Sequence, residues 1–496
     1  MRLHFALVIC AKQTPRRKAT RSWFLKFGKY MEEKHEECGV FGVYSQETRN
    51  IAHTVYYGLY ALQHRGQESC GIAVAFANKI SYYKGMGLVA DVFADGNLEA
   101  LPEGDIAIGH VRYSTTGASQ LLNAQPVVFT GKCGKMAVAH NGNLTNTKQL
   151  RDELIVENAV FQTTIDSEVI AILINSLSDG DILTGVKRAC PKFKGSYALV
   201  VMTTDKLIAV RDPHGIRPLC IGTIDDEFVV ASETCALDAV GANFLRDVKA
   251  GEIIVIDSDG LHSYMMDGVP KKSSMCIFEY VYFARHDSVL DGYSVYEARK
   301  EAGKLLARYY PVKADIVSGV PDSGNVAARG YSEESGVPFV EALARNRYVG
   351  RTFIQPDQRQ RENSLSVKMN ALRGNVRGKR VVLIDDSIVR GTTMRKIIKM
   401  LRDAGANEVH IRICSPIIKH PCHLGIDIQT YSQLIGAYKD EEQICESLGA
   451  DSVRYLTIDQ LLSTCADAKT GFCLGCFNGQ YPYPLDDYKA DKLKLE

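Results

Sequence analysis

The sequence has no uninterrupted apolar stretch that approaches the ~20 residues needed for a membrane-spanning helix. It also has almost no net charge, because 59 Lys and Arg residues are balanced by 58 Asp and Glu residues. Neither a membrane nor a nucleic-acid partner is therefore indicated. An apolar run at residues 3–10 is not followed by a convincing secretory cleavage site, so the 14 cysteines need not form disulfides. These absences favour a soluble, cytoplasmic enzyme or regulator.

The length of 496 residues favours two or three domains, since one hydrophobic core rarely organises so long a chain. The first 30 residues contain eight Lys or Arg and no acidic residue, and the composition changes at Met31. This pattern is compatible with a transit peptide, with an unstructured basic tail, or with Met31 as the true start. We therefore exclude residues 1–30 from the predicted fold.

Cys38 opens the motif CGVFG directly after an acidic heptapeptide at residues 31–37. Cleavage after Glu37 would make Cys38 the first residue. Its α-amino group, with a pKa of ~7.7–8.0, would then lie within reach of the thiol as a base. The alternative for an isolated cysteine is a small apolar side chain in the core.

The segment after Cys38 alternates short β-rich runs with glycines, and the predicted strands are 38–44, 71–76, 106–113, 135–140, 197–202, 206–211, 228–231 and 252–256. Helical periodicity predicts helices at 51–63 and 166–177. Many strands with few helices indicate stacked sheets flanked by helices. The dipeptide Asn141-Gly142 is typical of a hairpin turn, and it would also present an amide and a backbone N–H to an oxyanion. Asp166 would either cap a helix or bind a substrate ammonium.

Five motifs occur in order along this half: CGVFG from Cys38, LQHRGQES from Leu62, IGHVRYSTTG from Ile108, HNGNLTN from His140 and DSE from Asp166. Together they resemble the class II, or N-terminal-nucleophile, glutamine amidotransferases. The resemblance implies an αββα sandwich over residues 38–260 and removal of residues 1–37 as an N-terminal extension and propeptide. It also implies site residues, namely the nucleophile Cys38, the oxyanion donors Asn141 and Gly142, and the glutamine-pocket residues Arg65, Arg112, Tyr113 and Asp166.

The C-terminal half contains a second set of motifs. A predicted buried strand at 381–384 leads into Asp385 and Asp386, then a Gly-Thr-Thr turn at Gly391, then a predicted helix at 394–404. Backbone N–H groups at such a helix start suit a phosphate, and neighbouring carboxylates suit ribose hydroxyls. Residues 315–324 predict another strand and phosphate-facing turn. The alternative is an ordinary strand, acidic loop and helix of an α/β protein.

Residues 379–393 resemble the loop of type I phosphoribosyltransferases that binds 5-phosphoribosyl 1-pyrophosphate (PRPP). For residues 261–496 this implies an open, mainly parallel sheet with helices on both faces. The resemblance implies PRPP contacts from Asp385, Asp386, Ser387, Arg390, Gly391, Thr392, Thr393 and Lys368, and a Mg²⁺ ion held by Ser323, Asp385 and Asp386. The basic segment 345–370 resembles a mobile loop that closes over PRPP. Alternatives are a solvated loop or a nucleic-acid patch, although only Tyr348 and Phe353 could stack on bases there.

Both halves together resemble the glutamine PRPP amidotransferases. Four cysteines, Cys276, Cys422, Cys473 and Cys476, match ligand positions in the iron–sulfur branch of that family. The resemblance implies that a C-terminal tail carries part of a [4Fe–4S] site, and zinc is the alternative for the same four thiolates. It further implies a homotetramer that purine nucleotides inhibit.

The implied reaction is a glycosyl transfer, the first committed step of de novo purine synthesis. Glutamine is hydrolysed at Cys38, and the ammonia displaces pyrophosphate from PRPP, giving 5-phosphoribosylamine and glutamate. A PRPP-sensing regulator with the same fold is one alternative, and the intact set of Cys38, Asn141 and Asp166 argues against it. An amidotransferase that makes an amino sugar is another, and the acidic loop at 385–393 argues against that.

Overall fold

The computed structural model describes residues 38–113, 119–346, 369–426, 428 and 430–483. The strands β1 to β23 are, in chain order, Gly39–Arg49, Ser69–Phe76, Lys79–Met86, Gly104–Arg112, Val127–Gly131, Gly134–Leu144, Gly195–Met202, Leu207–Arg211, Cys220–Ile224, Glu227–Ala231, Asn243–Asp247, Glu252–Asp257, Gly260–Met265, Met275–Cys276, Val289–Leu290, Tyr293–Ser294, Ile316–Gly319, Leu343–Arg345, Met369–Ala371, Arg380–Asp385, Glu408–Ile413, Ser452–Tyr455 and Phe472–Cys473.

The helices α1 to α13 are, in chain order, Ile51–Ala61, Val89–Val92, Thr147–Val156, Asp166–Ser176, Ile182–Ala189, Thr234–Ala239, Val295–Tyr309, Gly324–Ser335, Arg373–Val376, Thr392–Asp403, Glu441–Leu448, Ile458–Ser463 and Gly475–Asn478. A π-helix lies at Glu279–Phe283. Within the described ranges, no helix has both the length and the apolar character that crossing a bilayer demands.

Two antiparallel sheets form the N-terminal half. One has the strand order β11-β9-β10-β1-β4-β2-β3, and the other β13-β12-β8-β7-β6-β5. Alternate side chains of the strands fill the space between the sheets, among them Val40, Ile108, Ala139 and Val200. The opposite faces pack under α1, α2 and α6 on one side and under α3, α4 and α5 on the other. These four layers are the predicted αββα sandwich.

All eight strands predicted from the hydrophobic runs are present in this sandwich, and both predicted helices are present as α1 and α4. The sequence did not reveal β3, β5, β9, β11 and β13. Four of these five are the outermost strands of the two sheets. Edge strands bury few side chains, so they lack the apolar runs on which the prediction depended.

Asn141 and Gly142 do not form the hairpin turn that the Asn-Gly signal predicted. Strand β6 continues through both residues and pairs them with Ala198 and Tyr197 of β7. Pairing with a distant strand therefore outweighs the local turn preference. Gly142 has a φ of 145°, a backbone conformation that residues other than glycine rarely adopt.

The C-terminal half is built on a parallel sheet with the order β17-β20-β21-β22. Its strands alternate side chains between two cores. Leu383 packs with Ile397 of α10 on one face, and Val382 packs with Leu306 of α7 on the other. The predicted open sheet with helices on both faces is thus confirmed. Helix α10 begins two residues before the predicted helix start.

A further apolar cluster joins segments that are distant in sequence. It brings together residues of the π-helix region, the segment after Ile418, and the C-terminal segment around Phe477. Strands β14 and β23 pair in parallel within it, with Cys276 opposite Cys473. The C-terminal segment therefore packs against the start of the second half.

Candidate active sites

Cys38 lies directly before β1, and the pairing of Gly39 with Val111 brings it to the end of β4. Its Sγ is 3.5 Å from the carbonyl oxygen of Tyr113, to which it donates. Burial raises the pKa of the thiol to about 11, against smaller lowering effects of the Tyr113 contact and the Arg112 charge. The thiol is therefore protonated at neutral pH, and its use as a nucleophile requires a base.

Three charged side chains are close enough to Cys38 to act on its pKa: Arg112 lowers it, while Asp166 and Glu68 raise it. Arg112 is buried and donates from Nη1 to Oε1 of Glu68 at 2.9 Å. The structure thus gathers a cation and two carboxylates around the thiol, as a zwitterionic amino acid would require. The sequence prediction missed the part played by Glu68, although it follows Arg65 closely in the quoted LQHRGQES motif.

The Asn141 side chain is buried, and neither its oxygen nor its nitrogen has a hydrogen-bond partner among the described residues. A buried amide without a hydrogen-bond partner destabilises the folded protein, because no new hydrogen bond compensates for the loss of its contacts with water. Next to it, a Cβ at Gly142 would lie 2.2 Å from the Ser196 carbonyl oxygen, so glycine is required there. The arrangement suits a polar ligand that pairs with the amide.

Two buried histidines, His140 on this strand and His110 on β4, lie close to Asn141 in the fold, and neither was predicted as a site residue. His140 contacts Asp166, with Nδ1 3.4 Å from Oδ1, and His110 contacts the His140 carbonyl oxygen at 3.0 Å through Nε2. Burial alone would raise the pKa of Asp166, but the contacts with His140 and the backbone hydrogen bonds from Leu144 and Ser167 together outweigh it, and the net shift is downward. Burial lowers the pKa of His110 to about 3, so His110 is neutral.

Arg65 is fully buried and contacts two carboxylates. Its Nε donates to Glu233, and its Nη2 donates to Oε2 of Glu279 at 2.5 Å. The Arg65 side chain also lies next to Gly39, the residue that follows Cys38. A Cβ at Gly39 would be 3.5 Å from Cδ of Arg65. The predicted pocket residue is therefore part of a buried charged network beside Cys38.

The acidic loop of the C-terminal half lies at the end of β20. Asp385 and Asp386 are buried, and Asp386 accepts from Ser323 Oγ at 2.5 Å and from Ser387 Oγ at 2.6 Å. Ser323 directly precedes α8, and Gly391 directly precedes α10 with a φ of 80°. Two helix N-termini thus meet the acidic loop, which suits a phosphate and a sugar together.

The remaining predicted PRPP contacts divide into two groups. Arg390, Thr392 and Thr393 are at the Gly391 turn and the first turn of α10. Lys368 and most of the predicted mobile loop at 345–370 lie outside the described residues. Beside the acidic loop at Asp385 and Asp386 is a small pocket, whose lining includes Ser323, Asp386, Arg299 and Cys414.

The four predicted cluster cysteines belong to one apolar cluster, and none of the cysteines that the structure describes forms a disulfide. Burial raises the pKa of Cys473 to about 11, and burial followed by Cys422 and Cys473 raises the pKa of Cys476. Across the described ranges, however, no group of three or more His, Cys, Asp or Glu side chains is arranged to hold a metal ion. The four cysteines therefore share one apolar cluster without forming a ready metal-ligand set in this part of the structure.

Comparison with protein families gives two matches. A glutamine amidotransferase domain matches residues 110–239, and a phosphoribosyl transferase domain matches residues 301–423. The first contains Arg112, Asn141 and Asp166, and the second contains Ser323 and Asp386. The matches cover the same two regions that carry the buried polar sites.

Individual proteins match over nearly the whole chain. An amidophosphoribosyltransferase of Archaeoglobus fulgidus is 51% identical over 449 residues, which span 90% of this chain and 98% of that protein. One of Synechococcus elongatus is 47% identical over 472 residues, spanning 94% and 95%. The solved structure of glutamine PRPP amidotransferase from Bacillus subtilis, complexed with ADP and GMP, has a TM-score of 0.85 at 46% identity, covering 90% of this chain and 98% of that one.

Proposed function

Because this chain belongs to the amidophosphoribosyltransferase family, we propose particular residues for the two half-reactions of this glutamine-dependent enzyme. The enzyme transfers ammonia from glutamine to PRPP in purine biosynthesis. The PRPP-sensing regulator is not favoured, since the similarity covers both catalytic domains. The division into residues 1–37, 38–260 and 261–496 is part of the proposal, as is a cytoplasmic location.

Cys38 is the proposed nucleophile of the glutaminase half. After removal of residues 1–37, its own α-amino group takes the thiol proton, which the buried thiol does not lose unaided at neutral pH. Sγ attacks the glutamine carboxamide, ammonia leaves, and water hydrolyses the thioester to release glutamate. Asn141 Nδ2 and the Gly142 N–H donate to the oxyanion. The proposal is supported above all by the buried amide of Asn141, which has no hydrogen-bond partner in the part of the chain that the structure describes.

Arg112 and Asp166 are proposed to bind the substrate's carboxylate and ammonium respectively. Both are buried beside the thiol, so their opposite charges would face a zwitterion without competing water. The lowered pKa of Asp166 keeps it ionised for this role. Tyr113 contributes its carbonyl contact to Cys38. Arg65 is proposed to support the pocket from its buried position beside Gly39.

The acidic loop is the proposed PRPP site of the transferase half. Asp385 and Asp386 would hold the ribose hydroxyls, and the turn from Ser387 to Thr393 would hold the 5-phosphate at the start of α10. Carboxylate and hydroxyl oxygens of Ser323, Asp385 and Asp386 are the donors that Mg²⁺ prefers, and a bound Mg²⁺ would offset the charge of the departing pyrophosphate. Lys368 remains a proposed phosphate contact.

We also propose that Cys276, Cys422, Cys473 and Cys476 bind a [4Fe–4S] cluster, with zinc as the alternative. The chemistry of the donor set fits, since the four cysteines share one apolar cluster, none of them forms a disulfide, and Cys276 and Cys473 are paired in register. Each must lose its proton to bind metal, so loading would be favoured at higher pH. The homotetramer and inhibition by purine nucleotides are proposals too, and the nucleotides bound to the Bacillus subtilis relative support the second.

An assay of both products tests the proposed reaction. Purified, trimmed protein is supplied anaerobically with glutamine, PRPP and Mg²⁺, and glutamate and pyrophosphate are measured together. We expect equal release of both. The Cys38→Ala variant should lose both with glutamine and regain pyrophosphate release with added ammonia, because only the glutaminase half needs the thiol.

Two outcomes would contradict the proposal. Glutamate without pyrophosphate would mean that PRPP is not the acceptor. Neither product from trimmed, metal-loaded protein would favour the PRPP-sensing regulator, and PRPP binding measured by calorimetry would then identify it.

A further inference from the structure

One ring nitrogen of His110 has no hydrogen-bond partner in the part of the chain that the structure describes. His110 is on β4 and is fully buried, and its Nε2 is 3.0 Å from the His140 carbonyl oxygen. A carbonyl oxygen only accepts, so Nε2 carries the single ring proton of this neutral imidazole. Nδ1 is therefore a buried acceptor that no described residue satisfies, and the proposed half-reactions give it no role.

A second buried polar group lies one strand away, on β2. Ser69 is fully buried, and within the described ranges its Oγ has no hydrogen-bond partner. Strands β2 and β4 pair with Ser69 opposite Arg112, two residues along from His110, so Ser69 and His110 are diagonal neighbours. Ala73 and Ile108 have the same orientation on these two strands and belong to the core between the sheets. Both polar side chains therefore face the second sheet.

The nucleophile and the oxyanion donor are in the same region of the sandwich. Strand β1 pairs with β4, which brings Cys38 beside Arg112, two residues along from His110. On the facing sheet, the carbonyl group that His110 contacts belongs to the residue before Asn141, the proposed oxyanion donor. The polar atoms of His110 and Ser69 therefore lie in the part of the intersheet space where the proposed glutaminase chemistry takes place.

A water molecule is the ligand that these two groups suit. Buried waters typically make about three hydrogen bonds, to polar groups that otherwise lack partners. The lone pair of His110 Nδ1 can accept one O–H of the water, and the Ser69 hydroxyl can donate to the water oxygen. The oxygen then keeps a second lone pair, which is what attack on a carbonyl carbon requires.

We propose that His110 and Ser69 position the water that hydrolyses the glutamyl thioester on Cys38. In this step the water oxygen forms a bond to the acyl carbon, and the C–S bond breaks. One water proton passes to the α-amino group of Cys38 and from there to the departing sulfur, and glutamate is released. His110 stays neutral throughout, so it is a positioning residue and not the base. The inference rests on the proposed glutaminase function and deepens it.

His110→Gln separates formation of the thioester from its hydrolysis. The amide nitrogen of glutamine reaches the position of Nε2 and keeps the bond to the His140 carbonyl oxygen, whereas the acceptor at Nδ1 is lost. Trimmed, metal-loaded protein is supplied anaerobically with glutamine, PRPP and Mg²⁺, with and without hydroxylamine. Hydroxylamine discharges a thioester without a positioned water, and the product is γ-glutamyl hydroxamate.

We expect His110→Gln to form the thioester at the wild-type rate and to accumulate it, as mass spectrometry of quenched protein would detect. The ratio of hydroxamate to glutamate should rise by about 10²-fold, the usual effect of misplacing a reacting group. A purely structural defect would slow both products and leave their ratio unchanged. Ammonia-dependent pyrophosphate release and thermal denaturation show whether the variant is folded.

Two further variants test the individual atoms. His110→Asn places an amide oxygen near the position of Nδ1, and it should recover part of the thioester hydrolysis. Ser69→Ala removes the hydroxyl and should also raise the ratio of hydroxamate to glutamate. Because the Ser69 hydroxyl bonds to no described residue, this variant should fold, and it tests the same water if His110→Gln does not fold.

His410→Gln is the matched control. His410 is also a buried strand histidine, on β21 of the other half, but both of its ring nitrogens have partners. Nδ1 is 2.9 Å from Ser452 Oγ, and Nε2 is 2.9 Å from Oε2 of Glu408. The control should lose stability and keep the wild-type ratio of hydroxamate to glutamate.

Three results would overturn the positioning role: a wild-type ratio in folded His110→Gln, or in Ser69→Ala where His110→Gln does not fold; an equal rise of the ratio in His410→Gln; or slow formation of the thioester in His110→Gln without accumulation. Each of these results leaves the proposed function intact. Absence of glutamate from the wild-type protein would instead contradict the proposed glutaminase reaction itself.

Discussion

The buried amide of Asn141 is the residue on which the glutaminase assignment depends most. A buried amide with no hydrogen-bond partner destabilises a folded protein, because its desolvation is not repaid. Asn141 is 1% exposed, and both its side-chain polar atoms are without a partner in the described part of the chain. Such a group is retained when a ligand supplies the missing partner.

Asn141→Ala should therefore separate activity from stability. We expect glutamine-dependent glutamate release to fall by about 10²–10³-fold, the usual effect of removing one oxyanion donor. Ammonia-dependent pyrophosphate release and thermal stability should not fall, because the amide makes no hydrogen bond with any described residue that the variant would break. Steady-state kinetics and thermal denaturation check the two expectations.

Asn143→Ala is the control for Asn141→Ala. Asn143 is on the same strand and equally buried, but its Nδ2 donates to the His423 carbonyl oxygen at 3.0 Å. Its loss should lower stability more than it lowers glutaminase turnover. Full glutaminase activity in Asn141→Ala would remove Asn141 from the proposed oxyanion site.

Single residues were predictable from the sequence where a motif places them, and less so where distant segments decide their role. Cys38, Asp166 and Asp386 were singled out by short motifs and by the family resemblance that those motifs carry, and their roles stay predictions. Arg65 was predicted as a pocket residue. Its carboxylate partners, Glu233 and Glu279, are 168 and 214 residues away in the chain. No local sequence pattern therefore predicts this buried network of charges.

At the scale of elements, helices α7 and α8 approach each other more closely than side chains would allow. A Cβ at Gly303 would lie 1.8 Å from the Ala327 carbonyl oxygen, and a Cβ at Gly330 would lie 2.0 Å from that of Lys300. Both helices cover one face of the parallel sheet, and α8 begins directly after Ser323. Their separation therefore sets where Ser323 meets the acidic loop.

Gly303→Ala should push the two helices apart. We expect a loss of about 1–3 kcal/mol in the free energy of unfolding, as for other overpacked cores. The KM for PRPP should rise while glutamine hydrolysis without PRPP is unchanged. The control is Gly374→Ala in α9, where nothing lies within 4 Å of the new Cβ, and where alanine should add up to ~1 kcal/mol. An equally stable Gly303→Ala protein would show that the helices adjust freely.

The elements show the same limit of prediction as the residues. Central strands such as β1, β7 and β20 bury both faces, so their apolar runs were visible in the sequence. Edge strands such as β3 are largely exposed, and their position depends on the neighbouring strand β2. The Asn-Gly signal predicted a turn where β6 continues as a strand. Its pairing partner β7 comes more than fifty residues later, so no local pattern could indicate it.

At the scale of the whole molecule, the halves share an apolar cluster as well as the charged network. The cluster includes Ile216 from the sandwich, Phe278 beside the π-helix and Phe477 near the C-terminal end of the described chain. The rings of Phe278 and Phe477 have centroids 5.7 Å apart. The C-terminal segment thus packs where the sandwich and the parallel sheet come together, as the four matched cysteines in the sequence implied.

Phe477→Ala should therefore weaken both halves together. Phe477 is 4% exposed, and truncating a buried phenylalanine typically costs about 3–5 kcal/mol. In urea titrations, we expect the midpoints for loss of glutamine hydrolysis and of ammonia-dependent pyrophosphate release to fall by similar amounts. Tyr438→Ala, at a side chain that is 69% exposed, should move neither midpoint. A fall in the transferase midpoint alone would mean that the sandwich does not depend on the C-terminal segment, and the two halves would then unfold as independent units.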